Sequence, residues 1–253
     1  MIKYTNSFFF WLRSLMKINR GEVKLRFETK VFTPRSLIEK EELLRKMYDL
    51  TPWYNSFSQL DYRLLLYRVE LMEKALEDKR LIKDVYAIDV GSTNFYYAAA
   101  LHQFYQKHSN LHQLEGIEVD AYRVYDTFHS RIDYAKAYMK GLKRVEYLPM
   151  DFLDYEKKAN VITMFLPFVF EEPLLIWGLP ISKYQPLAYM KHAYDCLEKG
   201  GVWIITNQGK EEQEKQHELL NELKISYEDK GVFFSEFYTY KTPHYLTVIQ
   251  KPN

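Results

Sequence analysis

Residues 84–120, DVYAIDVGSTNFYYAAALHQFYQKHSNLHQLEGIEVD, narrow the possible folds of this chain more than any other stretch. The run Val85 to Val90 is apolar almost throughout, as a strand buried on both faces requires. Gly91 supplies a tight turn, a helix is expected from about Asn94, and a second strand, Leu114 to Val119, carries Glu118 and is followed by Asp120. A strand, glycine turn, helix, strand and acid in that order is how α/β folds hold a nucleotide-like ligand. The helix N-terminus points N–H groups at the ligand and the acid takes ribose hydroxyls. The dinucleotide fingerprint places three glycines in this turn, but here Thr93 and Phe95 stand where the later two would be.

Beyond this unit the strand–helix alternation continues, which implies a largely parallel sheet with crossover helices. Strands are expected at Val145 to Leu148, Asn160 to Phe165 and Val202 to Thr206, with helices at Arg131 to Met139, Tyr184 to Glu198 and Glu211 to Leu223. The last of these helices is charged and expected to be exposed. Gly200-Gly201 closes the helix before it, as a C-cap does. Val232 to Tyr240 and Tyr245 to Gln250 are expected to form an antiparallel pair at one side of the sheet, joined by a Thr-Pro-His turn.

Residues 1–83 have a different character from 84–253. Phe8, Trp11, Leu12, Leu15 and Met16 make an amphipathic helix, and Glu22 to Phe32 alternates as a short strand or extended arm. Thr33-Pro34 opens a helix to about Tyr48, and a third runs from about Gln59 to Lys79 on Leu60, Leu64, Tyr67, Leu71 and Ala75. These apolar faces need covering. The expectation is a mainly helical cap (1–83) on an α/β body (84–253), with a homodimer through the N-terminal helices as the alternative.

Charge and cysteine content bound the partners. With 35 basic and 34 acidic residues the net charge is +1, which argues against nucleic acid as the main substrate. The single cysteine, Cys196, excludes an internal disulfide, fits a reducing compartment and reads as a small core residue. The run Phe8 to Leu12 is short for a secretory leader, and no stretch approaches the roughly 20 apolar residues of a membrane span. A cytoplasmic protein without membrane partners is expected. Twenty-two tyrosines suit half-wet pockets, where an apolar ring carries a hydrogen-bonding tip.

Taken in order, five landmarks over roughly residues 84–252 resemble those of the class I S-adenosylmethionine-dependent methyltransferases. They are Asp89-Val90-Gly91-Ser92-Thr93-Asn94, Gly116-Ile117-Glu118-Val119-Asp120, Met150-Asp151-Phe152, Phe165-Leu166-Pro167-Phe168 and Leu197-Glu198-Lys199-Gly200-Gly201. The resemblance implies a Rossmann-like, seven-stranded, mostly parallel sheet ending in an antiparallel strand pair. It also implies S-adenosylmethionine as cofactor, a methyl transfer and a small-molecule substrate. It assigns the ribose hydroxyls to Glu118, the adenine amino group to Asp151 with Phe152 beside the ring, and loop orientation to Asp89. Gly91, Ser92, Asn94, Asp120, Phe165 and Leu166 complete the implied cofactor site; no metal site is implied. A phosphate-free cofactor needs no close approach of three glycines, which agrees with the single Gly91.

Two departures bear on activity. Phe95 replaces the third glycine and is bulky enough to narrow the cofactor site. Leu166-Pro167-Phe168 lacks the Asn/Asp-Pro-Pro-aromatic pattern of amino-methylating members, which argues against adenine-N6 or glutamine methylation and leaves the acceptor atom open. A general base is needed only for a protonated nucleophile, and His129, His192 and Tyr54 are the candidates. The rival reading is a methyltransferase-like fold retired from catalysis that serves as a binding or scaffold protein. A third, an NAD-dependent oxidoreductase, is poorly supported by the loop.

Overall fold

The structure, a computed structural model, describes residues 2–253. Four helices come first: α1 (Ile2–Met16), α2 (Arg35–Met47), α3 (Thr51–Tyr54) and α4 (Gln59–Ala75). The α/β part follows as β1 (Asp84–Val90), α5 (Ala98–His108), β2 (Asn110–Ile117), α6 (Arg131–Tyr138), β3 (Val145–Leu148) and β4 (Ala159–Phe165). It continues through α7 (Glu171–Ile176), α8 (Pro186–Cys196), β5 (Leu197–Gln208), α9 (Lys210–Glu222), β6 (Glu228–Phe233) and β7 (His244–Gln250).

All seven strands form one sheet in the order β3-β2-β1-β4-β5-β7-β6. The pairs β2–β3, β1–β2, β1–β4 and β4–β5 are parallel, whereas β7 runs antiparallel to both β5 and β6. The chain builds outward from β1 to β3 on one side, then crosses back to place β4 on the other. Loops leaving β1 and β4 therefore diverge, which opens a crevice at the carboxyl ends of the strands.

Alternate residues of each strand feed two cores, as a period of two dictates. Val85, Ala87, Val161, Val202 and Ile204 face one layer, together with Leu101 and Phe104 of α5. Ile88, Ile162, Met164, Trp203 and Ile205 face the other, against Met190 and Ala193 of α8 and Leu219 and Leu220 of α9. Helix α4 lies in the first layer: Leu65, Leu66, Val69 and Met72 are fully buried and share that core with β1 and α5. The N-terminal segment and the sheet thus share one apolar core on this face.

Several boundaries differ from the sequence expectation for identifiable reasons. Helix α5 begins at Ala98, later than expected, because Thr93 and Phe95 adopt left-handed φ values of 53° and 54°. Residues 22–32 form no strand; they run as an irregular arm held by the Glu28 N–H on Phe57 O (3.2 Å) and the buried Lys30 ammonium on the same oxygen (2.6 Å). Strand β6 stops at Phe233 because Phe237 is fully buried and Tyr240 packs its ring 5.2 Å from Tyr67, which pulls the chain off the ladder. The buried face of α4 is broader than the expected stripe, and Leu60 lies outside it, because α2 covers its second side: the Tyr62 hydroxyl donates to Glu41 (2.7 Å).

Helix α1 turns opposite to expectation. Phe8, Trp11, Leu15 and Met16 are exposed, and polar anchors fix the helix instead. Asn6 donates to Leu175 O (2.8 Å) and Leu179 O (3.1 Å), and Arg13 makes a two-pronged contact with Asp120 (2.8 and 3.1 Å). Among the described residues no helix is long and apolar enough to cross a membrane.

Candidate functional site

A cavity of about 750 Å³ fills the crevice at the ends of β1, β2, β4 and β5. Gly91, Glu118, Phe152, Phe165 and Leu166 line it, and Leu174, Ile176 and Trp177 from the α7 region form an apolar wall.

The loop after β1 is pinned from below. Gly91 sits at φ 77°, and a Cβ there would meet nothing within 4 Å, so this position needs glycine for conformation alone. The Gly91 and Ser92 N–H groups both donate to Ile117 O (2.9 and 3.1 Å). Asp89 lies beneath the loop, outside the cavity lining and fully buried, where it accepts hydrogen bonds from Tyr97 OH (2.8 Å) and Thr163 Oγ1 (2.6 Å). Burial outweighs these donors and pushes its carboxyl up to about 6. Ser92 is also buried and donates to Asp89 O (2.8 Å); Asn94 is half-buried and does not line the cavity.

Phe95 is fully buried under the same loop and does not reach the cavity. Its ring fills the space that Gly116 leaves: a Cβ on Gly116 would lie 2.7 Å from Phe95 Cε1. Helix α5 offers little of its N-terminus to a ligand. The Ala98 N–H already donates to Phe95 O and the Ala100 N–H to Tyr97 O, both at 2.9 Å, so these amides are not free for a pyrophosphate.

The three remaining acids have different surroundings. Glu118 lines the cavity, and Oε1 accepts from Arg131 Nη1 (3.0 Å) and the Asp120 N–H (2.8 Å), while Oε2 accepts from the Thr93 N–H (2.8 Å). A carboxylate has about four acceptor positions, which leaves one on Oε2. Asp120 is turned away from the cavity and held by Arg13 (2.8 Å) and Arg123 (3.6 Å). Asp151 is also outside the lining, bonded to Lys183 (2.5 Å), Tyr189 OH (2.6 Å) and the Leu153 N–H (3.0 Å). Burial alone would raise its carboxyl, yet these hydrogen bonds hold it below the usual carboxylate range. Lys183 and Tyr189 line the cavity themselves.

The candidate bases fall elsewhere. His129 bonds Thr127 O (3.0 Å), His192 bonds Tyr155 O (2.8 Å) beside the buried Cys196, and Tyr54 packs on Tyr62; none of the three lines the cavity. Among the described residues no three His, Cys, Asp or Glu side chains are grouped to hold a metal ion.

The cavity also contains residues that the motifs do not mark: Arg68, Tyr96, Gln208, Glu212, Tyr240 and Thr242. Glu212, read from sequence as part of an exposed charged helix, is half-buried. It accepts from the Gln208 N–H (2.8 Å), and burial raises its carboxyl. Arg68 had a visible signal, a cation within the apolar run Leu64-Leu65-Leu66-Tyr67-Arg68-Val69.

No protein-family model matches the chain, and no curated protein matches its sequence. Solved structures do match. One, from Listeria monocytogenes and assigned to the class I S-adenosylmethionine-dependent methyltransferases, is 12% identical with a TM-score of 0.50, covering 76% of this chain. The chain spans 60% of that protein's length. Another, a methyltransferase from Pyrococcus furiosus, is 17% identical with a TM-score of 0.50, covering 75% of this chain and 83% of its own. The fold is therefore the Rossmann-like fold of class I methyltransferases, with its mostly parallel sheet and antiparallel closing strand.

Proposed function

We propose that the chain is an S-adenosylmethionine-dependent methyltransferase acting on a small molecule. The observation that carries this reading is the cavity at the β1–β4 switch point, where Glu118 Oε2 keeps one acceptor position beside a loop with few free amides. That arrangement suits a ribose hydroxyl and does not suit a pyrophosphate. The open space over Gly91 fits a backbone that passes beneath a methionyl group, so the residues present fit the cofactor.

On this reading Gly91 and Thr93 form the floor under the methionyl part, Glu118 accepts one ribose hydroxyl rather than two, and Phe152 offers a ring face to adenine. Asp151 acts through Lys183 and Tyr189, whose positions it fixes. The bound cofactor supplies an electrophilic methyl group on sulfur. Leu166, Pro167 and Phe168 exclude water and position the acceptor, which is where most of the rate of such a displacement arises. Glu212, its proton affinity raised by burial, is the wall carboxyl suited to take a proton from a protonated nucleophile. Of the features that favour the retired-fold reading (Phe95, the glycine-poor loop and the missing motif after β4), Phe95 does not fill the cavity, because its ring packs beneath the loop.

Trp177 lines the cavity and provides the readout. Titration with S-adenosylhomocysteine should change tryptophan emission saturably, and Glu118→Ala should weaken binding by about tenfold or more, the loss of a charge-assisted bond. Equal affinity in the variant would remove Glu118 from the site.

A further inference from the structure

Arg68 is a buried cation whose charge is felt through space by the buried Asp89 carboxylate but which no side chain pairs directly among the described residues. Its side chain comes from α4, is only 3% exposed and lines the cavity, yet Nε and Nη1 are buried with no hydrogen-bond partner among the described residues. No ion pair reaches it among those residues either. The guanidinium lies 4.0 Å over the Phe165 ring and 4.8 Å from that of Tyr97, so its faces are covered by aromatics. Stacking satisfies the faces of a guanidinium but not its edge, where five N–H donors point in the plane. A buried cation with an unbonded edge is costly unless an anion meets it, and arginine does not escape by losing its proton.

The surrounding residues limit what that anion can be attached to. Tyr96, Tyr240 and Thr242 line the cavity with Arg68, Phe168, Ile176 and Trp177 give it an apolar wall, and its second cation, Lys183, is already paired with Asp151. Of the cavity carboxylates, Glu118 is paired with Arg131, and Glu212 is not within ion-pairing distance of Arg68. We infer that Arg68 anchors the acidic group of the acceptor substrate, which is an apolar or aromatic small molecule carrying a carboxylate. The inference rests on the methyltransferase reading but goes beyond it. It assigns the substrate class and gives an N-terminal residue the selecting role, with Tyr96 and Tyr240 beside the acid.

The methionyl carboxylate of the cofactor has the same chemistry, so the test separates the two sources. The full chain is titrated with octanoate and 3-phenylpropanoate, with octanol and 3-phenylpropanol as uncharged controls, and separately with S-adenosylhomocysteine. The acids should bind at least tenfold tighter than the alcohols in the wild type. Arg68→Met should abolish that preference, and S-adenosylhomocysteine affinity should stay within about threefold. Arg68→Lys should keep part of the preference, which separates charge from folding. Acids and alcohols that bind alike in the wild type would overturn the inference while leaving cofactor binding intact. Loss of S-adenosylhomocysteine binding in a folded Arg68→Met protein would give the guanidinium to the cofactor instead. Acid selection by Arg68 with no cofactor binding would keep the acid site and reject the methyltransferase reading.

Discussion

A buried acid, its carboxyl pushed up to about 6 by desolvation, holds the loop at the centre of this molecule. Asp89 anchors Tyr97 and Thr163, and its carboxyl rises from 3.8 to about 6 because burial outweighs those donors. A folded-state value above the unfolded one means that the folded chain binds the proton more readily. The contribution of Asp89 to stability therefore increases as pH falls through 6 toward 4, by an amount on the order of 3 kcal/mol in total. Denaturant titrations should show the wild type gaining on Asp89→Asn between pH 7 and pH 5; a constant difference would mean that Asp89 titrates normally. Gly116 gives a second residue-scale test. An alanine Cβ would strike Phe95 Cε1 at 2.7 Å and Ser92 Oγ at 2.8 Å, so Gly116→Ala should cost about 1–3 kcal/mol of unfolding free energy. Adding Phe95→Leu should recover part of it. If Gly116→Ala were neutral, Phe95 would not be packed there.

At the scale of elements, α4 decides how the N-terminal segment relates to the sheet. Leu65 is fully buried in the core that α4 shares with β1 and α5. Leu65→Ala should cost about 2–5 kcal/mol, with near- and far-ultraviolet circular dichroism melting in one coincident transition. Two separate transitions would show the helices folding independently. The central strands were legible from sequence because strands buried on both faces read as short apolar runs bounded by turns, as Val85 to Val90 and Asn160 to Phe165 do. The end of β6 was not legible, because Phe237 and Tyr240 continue the aromatic pattern but leave the ladder to pack against Phe32 and Tyr67 respectively. Nor was the orientation of α1. Its apolar spacing predicts an inward stripe, whereas Asn6 and Arg13 find tertiary partners more than a hundred residues away that periodicity cannot reveal.

Across the whole molecule, local motifs located the cavity's floor but not its far wall. Gly91, Glu118, Phe152, Phe165 and Leu166 come together from strand ends that carry family-like landmarks, while Arg68, Glu212 and Tyr240 arrive from segments without a motif. Asp89, Asp120 and Asp151 look alike in sequence as strand-end acids. Their hydrogen bonds, visible only in three dimensions, turn them into a loop anchor, a partner for Arg13 and a support for Lys183 and Tyr189. The central claim is that this crevice holds a phosphate-free adenosyl cofactor. Isothermal titration of the full chain with S-adenosylhomocysteine, with NADH in a parallel cell, tests it most directly. One saturable site for S-adenosylhomocysteine and no heat of binding for NADH are expected. Absence of heat with millimolar S-adenosylhomocysteine, or saturable binding of NADH, would contradict it.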